Sequence, residues 1–289
     1  MALELRRRID DVAARNRPFA YVVRIVRRWS AANGTTASNS IALYGFLGLF
    51  AVTLLAVGTV GFLDSRHRDM TAQITDYLGL SGGAARVVDR AVTTARQSRR
   101  FASFLGVAGV AIIGTSFANA IGTSYNLAWG VRNRPLVAQR LRDLAWIAGF
   151  TVLVGLSILV TVWWTHLGDG LQPLVLVFAL ISNAAIWAFT AWLLPNRAAT
   201  WRVMLPAIAV GAVALEVLKI VGGVVVPRLI AHASQLWGTI GIVFGLLTWM
   251  LVFSRIVVLV TLVEADVGAH HPPPDPTKKR GARGERAPR

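Results

Sequence analysis

Apolar positions in this chain are bunched rather than scattered. Six runs of mostly apolar residues stand out, near 41–63, 101–125, 144–165, 171–194, 203–227 and 237–263. A helix crossing a ~30 Å hydrocarbon core needs about 20 such residues, and each run is long enough. A large soluble core rarely uses six. The pattern predicts an all-α fold: a polytopic membrane protein with six transmembrane helices.

Outside the runs the pattern changes. In "RPFAYVVRIVRRW", Phe19, Val22, Val23, Val26 and Trp29 recur at helical spacing, and Arg24, Arg27 and Arg28 lie opposite. This predicts an N-terminal amphipathic helix lying on the membrane surface, its three arginines on anionic headgroups. After the first run, "DMTAQITDYLGL" places Met70, Ile74, Tyr77 and Leu78 on one helical face. "SGG" interrupts, and "AARVVDRAVTTARQ" resumes. The 64–100 segment therefore reads as an extracytoplasmic helical loop, either functional in its own right or a cap over the bundle. The end of the chain, "GAHHPPPDPTKKRGARGERAPR", is rich in Pro, Gly and charge and is expected to be disordered. Its Lys278 and Lys279 are expected against anionic lipid. The organisation is thus an N-terminal segment (1–39), a six-helix domain (40–267) and a basic tail (268–289).

The second run, "FLGVAGVAIIGTSFANAIGTSYN", carries two stripes. Gly114, Ala118 and Gly122 recur every four residues, a spacing that lets helices approach closely. Ser116, Asn119, Thr123 and Asn126 form a polar stripe, which lipid tails would penalise. That face should point into the bundle, either bonding to other helices or lining a cavity. The third run ends in Trp163 and Trp164, as an interfacial belt would. The short "GDG" turn at 168–170 makes the third and fourth runs antiparallel neighbours.

Composition agrees with the pattern. The chain is 55% hydrophobic and 15% charged, against roughly 25% charged in soluble domains. The first 30 residues contain no apolar h-region, so no cleavable signal is expected and the first span should be retained. There is no cysteine, which excludes disulfides and thiol chemistry. The +16 net charge would suggest nucleic acid in a soluble protein, but here it follows the membrane. Twenty of the 30 Lys and Arg fall on the side of the two termini and eight, seven of them in 64–100, on the other. The short connections decide: the positive-inside rule puts both termini in the cytoplasm, and no nucleic-acid partner is expected.

Two charges interrupt the fifth run: Glu216 and Lys219 in "GAVALEVLKIVGGVVV". With ~1.5 Å of rise per residue, Glu216 lies roughly 16 Å in, near the midplane, and Lys219 roughly 21 Å in. Lys219 has a long stem that can snorkel outward; Glu216 has no such escape. Three residues apart, the two share a face and can pair. An intramembrane ionisable residue is a functional-site candidate, and a polar clamp against Ser116 or Asn119 is the structural alternative. Gly222, Gly223 and Pro227 follow, a weak signal for a broken helix.

Several ordered motifs resemble one family. "LLPNRAATWRVMLP", then Glu216 and Lys219, then "WGTIGIVFGLLTW", together with "ALYGFLGLF" and "YNLAWGVRNRP", resemble the YihY/BrkB family of bacterial inner-membrane proteins. Asn126 falls on that family's Asn in its "ALN-x-x-Y" segment. The chain departs from the pattern at Gly48 and Ala51, where the family usually carries Ser and Pro, and at Trp237, where it carries Tyr. The resemblance implies six spans with both termini inside, and a role spoken of as envelope integrity or lipid transport. It also brings an old ribonuclease label. The five histidines, His67, His166, His232, His270 and His271, have no accompanying carboxylate cluster, so the residues do not support that chemistry. No catalytic residue, metal or cofactor is expected. The expected function is transport or flipping of a lipid or other envelope component. The polar stripe of the second span and the Glu216/Lys219 face would line the path. The alternative is a non-transporting scaffold acting through partner proteins.

Overall fold

The computed structural model describes residues 14–63, 99–165, 172–197 and 200–270, together with Glu4 and Val12. Within them all regular structure is α-helical: α1 Arg17–Ala31, α2 Gly34–Leu63, α3 Arg99–Trp129, α4 Leu136–Thr165, α5 Gln172–Leu193, α6 Trp201–Trp237 and α7 Thr239–His270. Helices α2 to α7 are each long and apolar enough to cross a membrane. The loop expected over 64–100 and the tail over 268–289 lie outside the described residues, except that 99–100 open α3 and 268–270 close α7.

α2, α4 and α7 run past their apolar runs because polar residues at one end of the bundle continue them. α2 starts at Gly34, seven residues before the first run, directly after a turn at Asn33 with φ 48°. A Cβ at Gly34 would sit 2.6 Å from the Trp29 ring, so glycine leaves room for that ring at the turn. Trp29 completes the turn by donating its indole N–H to Thr35 Oγ1 at 3.2 Å. At the other end of the chain, α7 runs through Glu264 and Asp266 to His270. α6 is continuous through Gly222, Gly223 and Pro227, so those residues do not break it.

Helices α3, α4, α5, α6 and α7 pack in sequence, and α7 closes back on α3. They form a ring, and α2 lies outside it against α3 and α7. The backbones approach closely on that outer seam: a Cβ on Gly106 of α3 would lie 2.7 Å from the backbone nitrogen of Leu55 in α2. The Gly114, Ala118 and Gly122 stripe serves a different neighbour. A Cβ at Gly114 would meet Ile147 of α4, and one at Gly122 would meet Gln139 of α4.

Both ends of the described chain, with the 130–135 and 194–200 connections, gather at one end of the bundle, here called the terminal face. α1 docks there. Asn16 caps its start, accepting from the Phe19 N–H, and Ile25 is its buried residue. Arg24 and Arg28 each place Nε on Asp266 of α7, at 2.8 and 3.0 Å. Two of the three arginines expected on lipid headgroups thus bind a carboxylate of the bundle. Arg27 is exposed, and Phe19, Val22 and Val26 face outward.

Candidate functional site

The five ring helices line a half-open cavity of about 340 Å³. Its wall is largely apolar, with five aromatic rings among the lining residues. Phe117 of α3 lies against Trp146 of α4, with centroids 6.1 Å apart, and Trp146 stacks on Phe150 at 4.8 Å. Ile121, Val154, Ile186, Leu215, Phe253 and Val257 add aliphatic and ring surface from all five helices.

A few polar groups interrupt that wall, and most are fixed. Trp146 donates to Thr190 Oγ1 at 3.0 Å, and Thr190 donates to the Ile186 carbonyl at 2.7 Å. Trp187 is different: its ring N–H is buried and meets no acceptor among the described residues. The ring itself packs over Gly211 of α6, where a Cβ would fall 2.6 Å away. A side chain at 211 would therefore displace the Trp187 ring.

Glu216 stands at the edge of this space, in the α5/α6 seam. Lys219 Nζ lies 2.6 Å from its Oε2, and Asn183 of α5 donates Nδ2–H to the same oxygen at 2.8 Å. Asn183 and Lys219 both line the cavity. The Glu216 side chain is 15% exposed and the Lys219 side chain 50%. The pair expected from three-residue spacing is formed, and its inner end is clamped. The clamp is Asn183, not Ser116 or Asn119. An uncompensated carboxylate at that depth would be costly; one ammonium and one amide offset it.

The polar stripe of the second span does not join Glu216. Ser116 returns its hydroxyl to the Ile112 carbonyl at 2.8 Å. Asn119 and Thr123 line a separate recess of about 590 Å³ between α2 and α3, shared with Asn33, Thr36, Ser40 and Tyr44. Asn126 is buried at the terminal face and joins the two connections there. Its Nδ2 donates to Asn133 at 2.7 Å, and its Oδ1 accepts the backbone N–H of Asn196 at 2.8 Å. Lys278 and Lys279 lie outside the described residues.

The sequence reading missed Asn183. It is a single amide in an otherwise apolar run, ten residues from the end of α5 at Leu193, which at ~1.5 Å per residue is roughly 15 Å deep. That matches the depth worked out for Glu216, and was the available signal. It also missed an acidic layer at the terminal face. Asp143, Glu264 and Asp266 are all buried; Asp143 accepts from Gln139 at 2.8 Å.

Searches of curated proteins and of solved structures find no match to the chain. The family model described as virulence factor BrkB matches residues 25–284, which takes in all six long helices and every residue of the Glu216 site. This chain belongs to the BrkB family.

Proposed function

We propose that the protein sits in the bacterial cytoplasmic membrane, with both termini cytoplasmic, and transports or flips a lipid or other amphipathic envelope component. The observation that supports this is the cavity inside the helix ring, largely apolar, with Lys219 and Asn183 as polar groups along it. Pockets of this kind, mostly apolar with a few placed polar groups, take ligands with one apolar part and one polar part.

The chemistry follows from the triad. An anionic headgroup reaching Lys219 competes with Glu216 for the ammonium. Glu216 keeps the Asn183 hydrogen bond meanwhile, so its charge is never left without a partner. The apolar wall takes the apolar part of the ligand. No catalytic step and no cofactor enter this reading.

A second reading, a scaffold acting through partners, draws on the α2/α3 recess. Its hydroxyl and amide lining lies outside the ring and suits hydrogen bonds to another membrane helix. Proteoliposomes separate the two. Wild type should move lipid or solute from a broad panel, and Glu216→Ala should be slower. If wild type moves nothing, transport is abandoned in favour of the scaffold. If Glu216→Ala matches an active wild type, the path lies elsewhere.

A further inference from the structure

A second recess, of about 480 Å³, opens on the terminal face where the start of α4 meets the end of α5 and the start of α6. Three arginines line it: Arg134, Arg142 and Arg197. Among the described residues, none lining it is a carboxylate. Trp192, which is 65% exposed, forms its outer wall with Leu193, and Met204 its inner one.

Part of the arginines' hydrogen-bonding capacity is committed. Arg134 donates to the carbonyls of Leu194 and Pro195, and Arg142 to that of Leu193 at 3.1 Å. These bonds cap the C-terminus of α5, whose dipole carries about half a negative charge. Each guanidinium has five N–H donors, so donors are left over on both. Arg197 places its guanidinium 4.2 Å above the Trp129 ring. The acid nearby, Asp143, is fully buried and takes its hydrogen bond from Gln139. Three positive charges therefore face one carboxylate and one helix end, and positive charge remains in excess. Burial first, and then the neighbouring Arg142 charge, hold the Arg134 guanidinium below its usual range, against a smaller opposite pull from Asp143.

We propose that this recess binds the phosphate of an anionic phospholipid headgroup. Arginines supply planar, charge-assisted donors suited to phosphate oxygens, and basic pockets between transmembrane helices bind such headgroups. The lipid, rather than a free phosphate, follows from the surroundings. The recess opens beside the exposed, apolar ring surface of Trp192. Acyl chains attached to a phosphate in the recess would run down that apolar surface. The site is separate from the central cavity and holds whether or not the protein transports.

Native mass spectrometry of the full chain in detergent tests this, with phosphatidylglycerol, phosphatidylcholine and inorganic phosphate as probes. Wild type should retain phosphatidylglycerol over phosphatidylcholine. Arg142→Gln with Arg197→Gln should weaken that retention by about tenfold or more. Arg202→Gln, outside the recess, should not. Should the double variant fail to fold, Arg197→Gln alone carries the test, since its head stacks on Trp129 rather than capping α5. Unchanged phosphatidylglycerol retention in the folded variant overturns the site. Equal retention of phosphatidylcholine by wild type overturns the charge argument. Displacement of phosphatidylglycerol by an equal concentration of inorganic phosphate overturns the lipid assignment.

Discussion

Lys219→Met tests whether Glu216 is held as the geometry implies. At 2.6 Å, the gross attraction is roughly 6 kcal/mol at an effective dielectric of about 20. Desolvation cancels most of it. Breaking a fully buried pair costs about 3–5 kcal/mol, and breaking an exposed one about 0.2–1. Here Glu216 is mostly buried and Lys219 half exposed, so the expected cost lies between, about 2 kcal/mol. A chain of this size loses ~2–4 °C in Tm per kcal/mol, hence a drop of about 4–8 °C. Adding Glu216→Gln to Lys219→Met should recover most of it, because glutamine keeps an acceptor for Asn183 without a charge to compensate. Thermal unfolding of the four members of this cycle in one detergent measures the coupling. Additive losses, or a Lys219→Met variant as stable as wild type, would refute the argument that the ammonium stabilises a stranded carboxylate.

Asp266→Asn should loosen α1, since one carboxylate holds both Arg24 and Arg28; amide exchange over 17–31 should speed up while α3 to α7 keep their protection. Asn126→Ala should cost about 2 kcal/mol or more in thermal unfolding, because it strips the acceptor from the Asn196 N–H and the donor from Asn133. Gly106→Val should cost about 1–3 kcal/mol by forcing α2 and α3 apart. Gly155→Ala, with nothing within 4 Å of the added Cβ, should be neutral or stabilising by up to about 1 kcal/mol.

The six spans, the amphipathic α1 and the Glu216–Lys219 pair follow from sequence because each depends on local spacing. A bilayer demands a certain number of apolar residues in a row, and a helix puts residues three apart on one face. Depth along one helix is likewise arithmetic, which is why Glu216 could be singled out. Partnership across helices is not local. Rotation about a helix axis decides whether Asn119 meets Glu216 or the α2/α3 recess, and no stripe on one helix sets the neighbour's rotation. The ring order, with α2 outside and α7 closed on α3, came from packing: Gly106 against Leu55, Trp187 over Gly211, Trp129 over Gly268. That order alone gave Glu216 to Asn183, took Arg24 and Arg28 to Asp266, and gathered three arginines from two separate connections and one helix start. Side chains far apart in the chain became neighbours because close packing of small and large residues admits few helix arrangements, and hydrogen-bond satisfaction at depth removes most of the rest.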